Sequence, residues 1–393
     1  MADPKVVIYY GPASGLKTAL GKKSSQEFDG ILEIAHEQDA QSRRVTVVSG
    51  PRQDGQPEPD PAEAVKPRHS RVLAASSDYA SLNEHVISNF AGFVRGIGAK
   101  KIVLHNPPAH VHRQLTRTFE DVRVESFRYP HISLDALRQI GAGFKDRIVG
   151  QERALDRLLA ALYPLTAQGR SKPVVLMFCG PSGVGKTETA KFVNGVLGGT
   201  LMRRQFSMFH SDKFASYLFG GHHSETSFAH DLLDRESSVI VLDEFDKANQ
   251  VFHGAFYQLF DEGVFEDKNY EVTVGPAVII CTSNYRSEED VRVNLGDPLH
   301  SRFDAVIEFN ALTTAAVMAV IDRLTQARYD ALTPDEQARV ALEGVRSLLR
   351  AHARKLTNVR RIGKMVDEMM SIILVRAAFE HTTDGVSMAP SEG

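Results

Sequence analysis

The chain has 393 residues, long enough for two or three domains, since a single hydrophobic core stops growing at roughly 250–300 residues. Its 42% hydrophobic and 24% charged residues exclude a disordered, fibrous or membrane composition. A formal net charge of -3, no apolar run approaching the roughly 18 residues of a membrane span, and an amino terminus (MADPKVVIYYGP) without signal-peptide regions lead to the expectation of a cytoplasmic protein with no global nucleic-acid field.

From the amino terminus, strand and helix signals alternate. KVVIYYGP reads as a strand, residues 25–40 as helix, RRVTVVSG as a strand, Asp78 to Ile97 as helix, and KKIVLHNP and VRVESFRY as strands. This alternation predicts a small α/β accessory domain over residues 1–140. Pro and charge crowd residues 51–70, which predicts a mobile surface loop within it. Near residues 131–145 the chain passes into a second unit, 145–310, whose short apolar runs PVVLMFCG, VIVLDEF and PAVIICTSN suit parallel strands covered on both faces. From Ala311 the strands stop, and helical periodicity near 312–330, 334–354 and 359–380 predicts a helical lid over 311–381, followed by a flexible tail at 382–393. The expected fold class is therefore α/β: a P-loop core with a parallel sheet, a carboxy-terminal helical lid and a separate small α/β domain in front. Cys179 and Cys281 end apolar runs, so buried reduced thiols are expected and no metal site is suggested.

GPSGVGKT, comprising Gly180, Pro181, Ser182, Gly183, Val184, Gly185, Lys186 and Thr187, satisfies G-x-x-x-x-G-K-[ST] between an apolar strand and a helix that opens with Glu188. Its glycines let backbone N–H groups face phosphate oxygens, and the helix N-terminus favours negative charge. Lys186 is the residue for the β- and γ-phosphates of ATP and Thr187 for Mg²⁺. The alternative is a glycine-rich turn with no ligand. VIVLDEFDKA places Asp243 and Glu244 at a strand's carboxyl end, where open α/β sheets meet their ligands. Asp243 would hold the metal and Glu244 would polarise water, unless the pair only caps the next helix. Upstream, GPASGLKT from Gly11 to Thr18 echoes the motif, but Leu16 stands at the second required glycine and no acidic strand pair follows before residue 145. A degenerate turn is expected there.

On these residues the chain resembles the AAA+ ATPases, most closely the second ATPase module of the Clp unfoldases, over about residues 145–380. RIVGQERAL resembles the Clp segment framing the adenine, which implies Ile148, Val149 and Gln151 as base-pocket residues, the alternative being simple helix entry. PAVIICTSN implies Asn284 as the first sensor, or else an Asn favoured by a turn. DPLHSRFDAV implies Arg302 as an arginine finger offered to a neighbouring subunit, or else a surface Arg paired with Asp304 or Asp297. TNVRRIGK implies Arg360 as the second sensor, although the family's Gly-Ala-Arg is here Asn358, Val359 and Arg360.

The resemblance implies a homo-oligomeric ring, six subunits being expected, that remodels a protein or protein complex. One departure matters: the pore-loop stretch reads ASYLFGGHHSETSFAHDLL, with Tyr217, Phe219, His222 and His223 but no aromatic-Val-Gly tripeptide. Nor is there an Ile-Gly-Phe type tripeptide for docking a protease. A nucleotide-controlled scaffold that recruits a partner through the first domain is the rival expectation. Action on nucleic acid is disfavoured by the acidic balance, the clusters at Lys100 and RKLTNVRR being the exceptions.

Overall fold

The computed structural model describes residues 3–21, 28–47, 69–208, 212–222 and 225–383. The expected loop at 51–70 and tail at 382–393 lie outside these, apart from their edges, as does His223. The first domain's strands are β1 (Lys5–Tyr10), β2 (Asp29–Gly30), β3 (Arg71–Ala74), β4 (Lys101–His105) and β5 (Val122–Ser126), all parallel in the order β2-β3-β4-β1-β5. The next domain contributes β6 (Val174–Cys179), β7 (Met202–Gln205) and β8 (Val239–Asp243), then an antiparallel ribbon of β9 (Val264–Glu266) and β10 (Glu271–Thr273), then β11 (Val278–Thr282) and β12 (Ala305–Glu308). Its sheet is parallel in the order β12-β6-β11-β8-β7. Every residue of β6, β8 and β11 is buried, as helices on both faces require.

The two sheets share one topology. Read from its fifth strand, each runs fifth, first, fourth, third, second in its own chain order. The registers correspond as well: Tyr9 pairs with His105 and Tyr10 with Ser126 in the first sheet, Phe178 with Thr282 and Cys179 with Glu308 in the second.

Three expectations are corrected. RRVTVVSG was expected as a strand, yet the helix Ile31–Val47 runs through its first half and Arg71–Ala74 supplies the strand beside β4. The helix Leu134–Arg147, capped by Ser133, belongs to the second domain: Ile140 and Phe144 are buried with β6, β8 and β11, and Phe144 meets Phe192 edge-on. The expected bounds of 1–140 and 145–310 thus divide a helix that packs with the second domain's core. In the lid, the helix expected at 334–354 divides into Pro334–Gln337, opened by a Thr333–Glu336 capping box, and Leu342–Ala351, because Val340 between them turns into the lid core. The lid's other helices are Thr314–Asp330 and Val359–Thr383. Among the described residues no helix is long and apolar enough to cross a membrane.

The two α/β domains meet through polar contacts. Glu236 accepts from Ser14 and Thr200 at 2.6 Å, Ser76 Oγ lies 2.7 Å from His230 Nε2, and the Ala109 N–H donates to Asn269 O at 2.7 Å. Arg235 is buried at this junction, and among the described residues its guanidinium forms no ion pair. Its guanidinium caps the helix Phe228–Leu233 through Leu232 O, donates to Val274 O at 2.8 Å, and lies 3.8 Å from the Tyr129 ring centroid. A helix-end carbonyl, the carbonyl of Val274 after β10 and a π face thus replace a counter-ion. Arg235→Met should leave two buried carbonyls unpaired and cost about 2–4 kcal/mol, read as a lower urea midpoint. An unchanged midpoint would show that the junction does not depend on this side chain.

Candidate nucleotide site

At the carboxyl end of β6 the chain leaves Cys179, runs through Gly180 to Gly185, and enters the helix Lys186–Leu197 with Gly185 as N-cap. Gly183 has φ +77°, and a Cβ there would stand 2.1 Å from Asn358 Oδ1, so only glycine fits. Asn358 Nδ2 donates to Ser182 O at 3.0 Å and the Val359 N–H to Gly183 O at 2.9 Å. The last lid helix therefore starts on the loop itself. Lys186 Nζ is turned onto Gly180 O (2.6 Å) and Pro181 O (2.8 Å), with Asn284 Oδ1 at 3.5 Å, and burial pulls its ammonium down to about 8.

Beside the loop, β8 delivers Asp243, 5% exposed. Its Oδ2 accepts from Arg203, through Nε at 2.9 Å and through Nη2, and its Oδ1 accepts from Thr282 Oγ1. Glu244 is held in the left-handed region at φ +55°, where its N–H donates to Thr282 Oγ1 (3.0 Å) and its Oε2 accepts from Gln205 Nε2 (3.1 Å). Phe245 anchors this turn, stacked on His253 and packed against Phe206 and Phe256. A backbone strained at a carboxylate and fixed from both sides is a feature of functional positions.

These groups surround one cavity of about 730 Å³, ample for a nucleotide. Ser182, Gly183, Gly185, Lys186, Thr187 and Glu188 line it on the loop side, Asp243, Glu244 and Asn284 at the strand ends, and Arg360 from the lid. Thr187, Asp243, Glu244 and Thr282 offer hard oxygen donors, which fit magnesium. Among the described residues no three or more His, Cys, Asp or Glu side chains cluster to hold a metal alone, so phosphate and water oxygens would complete its shell.

Other expected residues lie elsewhere. Ile148 is buried beneath Gly185, and Val149 packs into the lid, so neither lines the cavity. The walls at that end include Asp146, Arg147, Leu324 and Ala327. Gln151 is a buried clamp, donating to Val184 O and Asn310 O and accepting from the Asn310 N–H. Gly180, Pro181 and Val184 belong to the loop but do not line the cavity. Arg302 is outside the cavity; it pairs with Asp261 at 2.9 Å and lies 4.1 Å from the Tyr257 ring centroid, while Asp297 pairs with Arg292 and Asp304 lies 4.0 Å from Arg170. Sequence reasoning missed Arg203, Gln205 and Thr282. The signal was present in MRRQ, a strand with polar residues beside otherwise apolar partners.

The first domain's echo of the loop is closed. Its helix begins at Ala13, directly after Gly11 and Pro12, so no phosphate-sized loop forms. A Cβ on Gly11 would stand 2.3 Å from Phe127 Cβ, and Gly11 O accepts from Asn106 Nδ2 at 2.9 Å and lies 2.7 Å from His105 Nε2. Leu16 is core, packed with Tyr9 and Val103. By register, Ala75 and Ser76 stand where the second domain has Asp243 and Glu244, and Pro107 stands for Asn284.

Isothermal titration should therefore give one ATP per chain, abolished by Lys186→Ala. Above about pH 8 the empty site's Lys186 loses its proton, and phosphate restores it. Binding of magnesium-ATP should take up a proton and weaken there, seen as enthalpies that depend on buffer ionisation more strongly at pH 9 than at pH 7. A second nucleotide, or buffer-independent enthalpy at pH 9, would contradict this.

Residues 171–327 match the family model described as AAA domain (Cdc48 subfamily). The chain is 27% identical over 222 residues to the ATP-dependent Clp protease ATP-binding subunit ClpE of Bacillus subtilis, covering 48% of this chain and 32% of that one. It is 33% identical over 159 residues to the chaperone protein ClpB of Chlamydia caviae, covering 37% and 18% respectively. The chain thus spans about a third or less of these relatives. A closed-state cryoEM structure of Hsp104 with ATPγS and FITC casein superposes with a TM-score of 0.52 at 17% identity, over 80% of this chain and 62% of that one, and so shares the fold. Residues 171–327 are thus similar to the AAA+ ATPase modules of the Clp family.

Proposed function

We propose that this chain is a ring-forming ATPase that uses ATP hydrolysis to remodel a protein or protein complex. One observation carries the reading: Lys186, Thr187, Asp243, Glu244, Asn284 and Arg360 reach a single cavity from the loop, two strand ends and the lid. The loop's N–H groups and Lys186 would bind the phosphates, and Asp243 with Thr187 would hold Mg²⁺, which would neutralise phosphate charge. Glu244, oriented by Gln205 and the Thr282 hydroxyl, would accept a hydrogen bond from the attacking water and align it. Asn284 lies within reach of the same point through Lys186. Arg360 would let the lid read the γ-phosphate, and Asn358 ties lid to loop, so loss of phosphate would alter the lid angle.

Arg302 lies outside its own chain's cavity, which supports a role in a neighbouring site. Asp261 and Tyr257 hold its guanidinium at the surface meanwhile. The related Clp proteins are the further support for a protein substrate.

One observation favours the scaffold reading instead. Tyr217, the first aromatic of the pore-loop stretch, is spent internally: its hydroxyl donates to Asp231 at 2.5 Å and accepts from Arg204 at 3.1 Å. Phe219 is 48% exposed but leans on Phe252. With Tyr217 engaged and Phe219 leaning on Phe252, the described residues of this stretch are poorly equipped to thread substrate.

Light scattering with ATP and Mg²⁺ should show assembly to about six subunits, and Arg302→Ala should cut hydrolysis at least tenfold without weakening nucleotide binding. A monomer, or wild-type hydrolysis in Arg302→Ala, would remove the ring and leave the scaffold reading.

A further inference from the structure

Asp243 presents a charge problem that the nucleotide alone does not solve. A carboxylate this buried is costly unless paired and hydrogen-bonded. In this structure both of its oxygens are engaged, Oδ2 by Arg203 and Oδ1 by Thr282. Lys186 is near enough for its charge to be felt at Asp243, but its hydrogen bonds go to Gly180 O and Pro181 O. The compensating cation is Arg203.

Strand geometry aims it there. Along β7 successive side chains take opposite faces. Arg203 lines the nucleotide cavity, whereas Arg204 faces away and is fixed by Asp231 at 2.7 Å and Tyr217 at 3.1 Å. Arg203 pairs across the sheet with Val241, two residues before Asp243, so its side chain reaches along the strand to the carboxylate. A divalent cation on Asp243 would need the lone pairs that Arg203 now occupies, and guanidinium and metal would repel each other at that separation.

We propose that Arg203 is a resident counter-cation for Asp243, which blocks metal binding to the empty site and is displaced when magnesium arrives with nucleotide. The proposal rests on the reading of this cavity as a nucleotide site. Arg203 is thus a positioning residue that makes metal entry conditional on phosphate. Displaced, its guanidinium still lies on the cavity wall, where phosphate oxygens would receive it.

The test compares wild type, Arg203→Gln and Arg203→Lys, each checked for folding by circular dichroism. Mn²⁺ binding to nucleotide-free protein, followed by electron paramagnetic resonance, should be at least tenfold tighter in Arg203→Gln than in wild type, with Arg203→Lys between them. Arg203→Gln should also lower the melting temperature of the empty protein, and the deficit should shrink with saturating Mg²⁺ and ADP. As a readout that does not need the Gln variant to fold, the Arg203 Nε–H resonance, assigned by its loss in Arg203→Lys, should lose exchange protection when Mg²⁺ and ADP are added. Equal Mn²⁺ affinity in wild type and Arg203→Gln would overturn the proposal, as would an equal melting deficit with and without ligand or an unmoved Nε–H resonance. ADP titration of wild type separates the two levels: if ADP does not bind, the nucleotide reading fails, and if it binds while the Arg203 results are negative, only the counter-cation role fails.

Discussion

A nearly buried carboxylate at the end of a central strand sets the terms for the rest of the second domain. Asp243 needs a hydrogen-bond donor and a cation, and the parallel sheet supplies one from each neighbouring strand: Thr282 from β11 and Arg203 from β7. That strand order also brings β6 and its loop within one cavity of the acids. The aromatic cluster of Phe206, Phe245 and Phe256 fixes the turn that follows, so Glu244 is held at an unfavourable φ by packing around it.

Coupling to the lid is equally local. Asn358 and Val359 bond directly to the loop, and Arg323 of the first lid helix donates to the carbonyls of Asp146 and Arg147 at 2.9 and 2.7 Å. Both ends of the cavity are therefore shared between core and lid. A ligand that changes either contact changes the angle between them, which is the physical basis for a nucleotide-dependent movement.

Much of this was legible in the sequence because it is local chemistry. GPSGVGKT and VIVLDEF carry their own spacing and strand context, and the structure brings Lys186, Thr187, Asp243 and Glu244 to one cavity. What depends on register was not legible. Arg203, Gln205 and Thr282 act through strand pairing, Asn358 through a lid more than 150 residues downstream of the loop, and Ile148 and Val149 turned out to pack as core residues. The helix Leu134–Arg147 was assigned across a boundary because an amphipathic helix does not announce which core it joins. The first domain was the largest surprise: it repeats the second domain's strand order and registers, with the loop shortened and filled by Phe127, His105 and Asn106. Its sequence shows that common plan only in GPASGLKT, because topology is carried by apolar runs that any sheet would use.

The most direct test of the account is hydrolysis of radiolabelled ATP by wild type and Glu244→Gln, with nucleotide binding measured on the same preparations. The account predicts that the variant binds ATP as wild type does and hydrolyses it at least a hundredfold more slowly. Equal hydrolysis by the two proteins, or none by wild type despite binding, would contradict the assignment of Glu244 and with it the catalytic reading of this cavity.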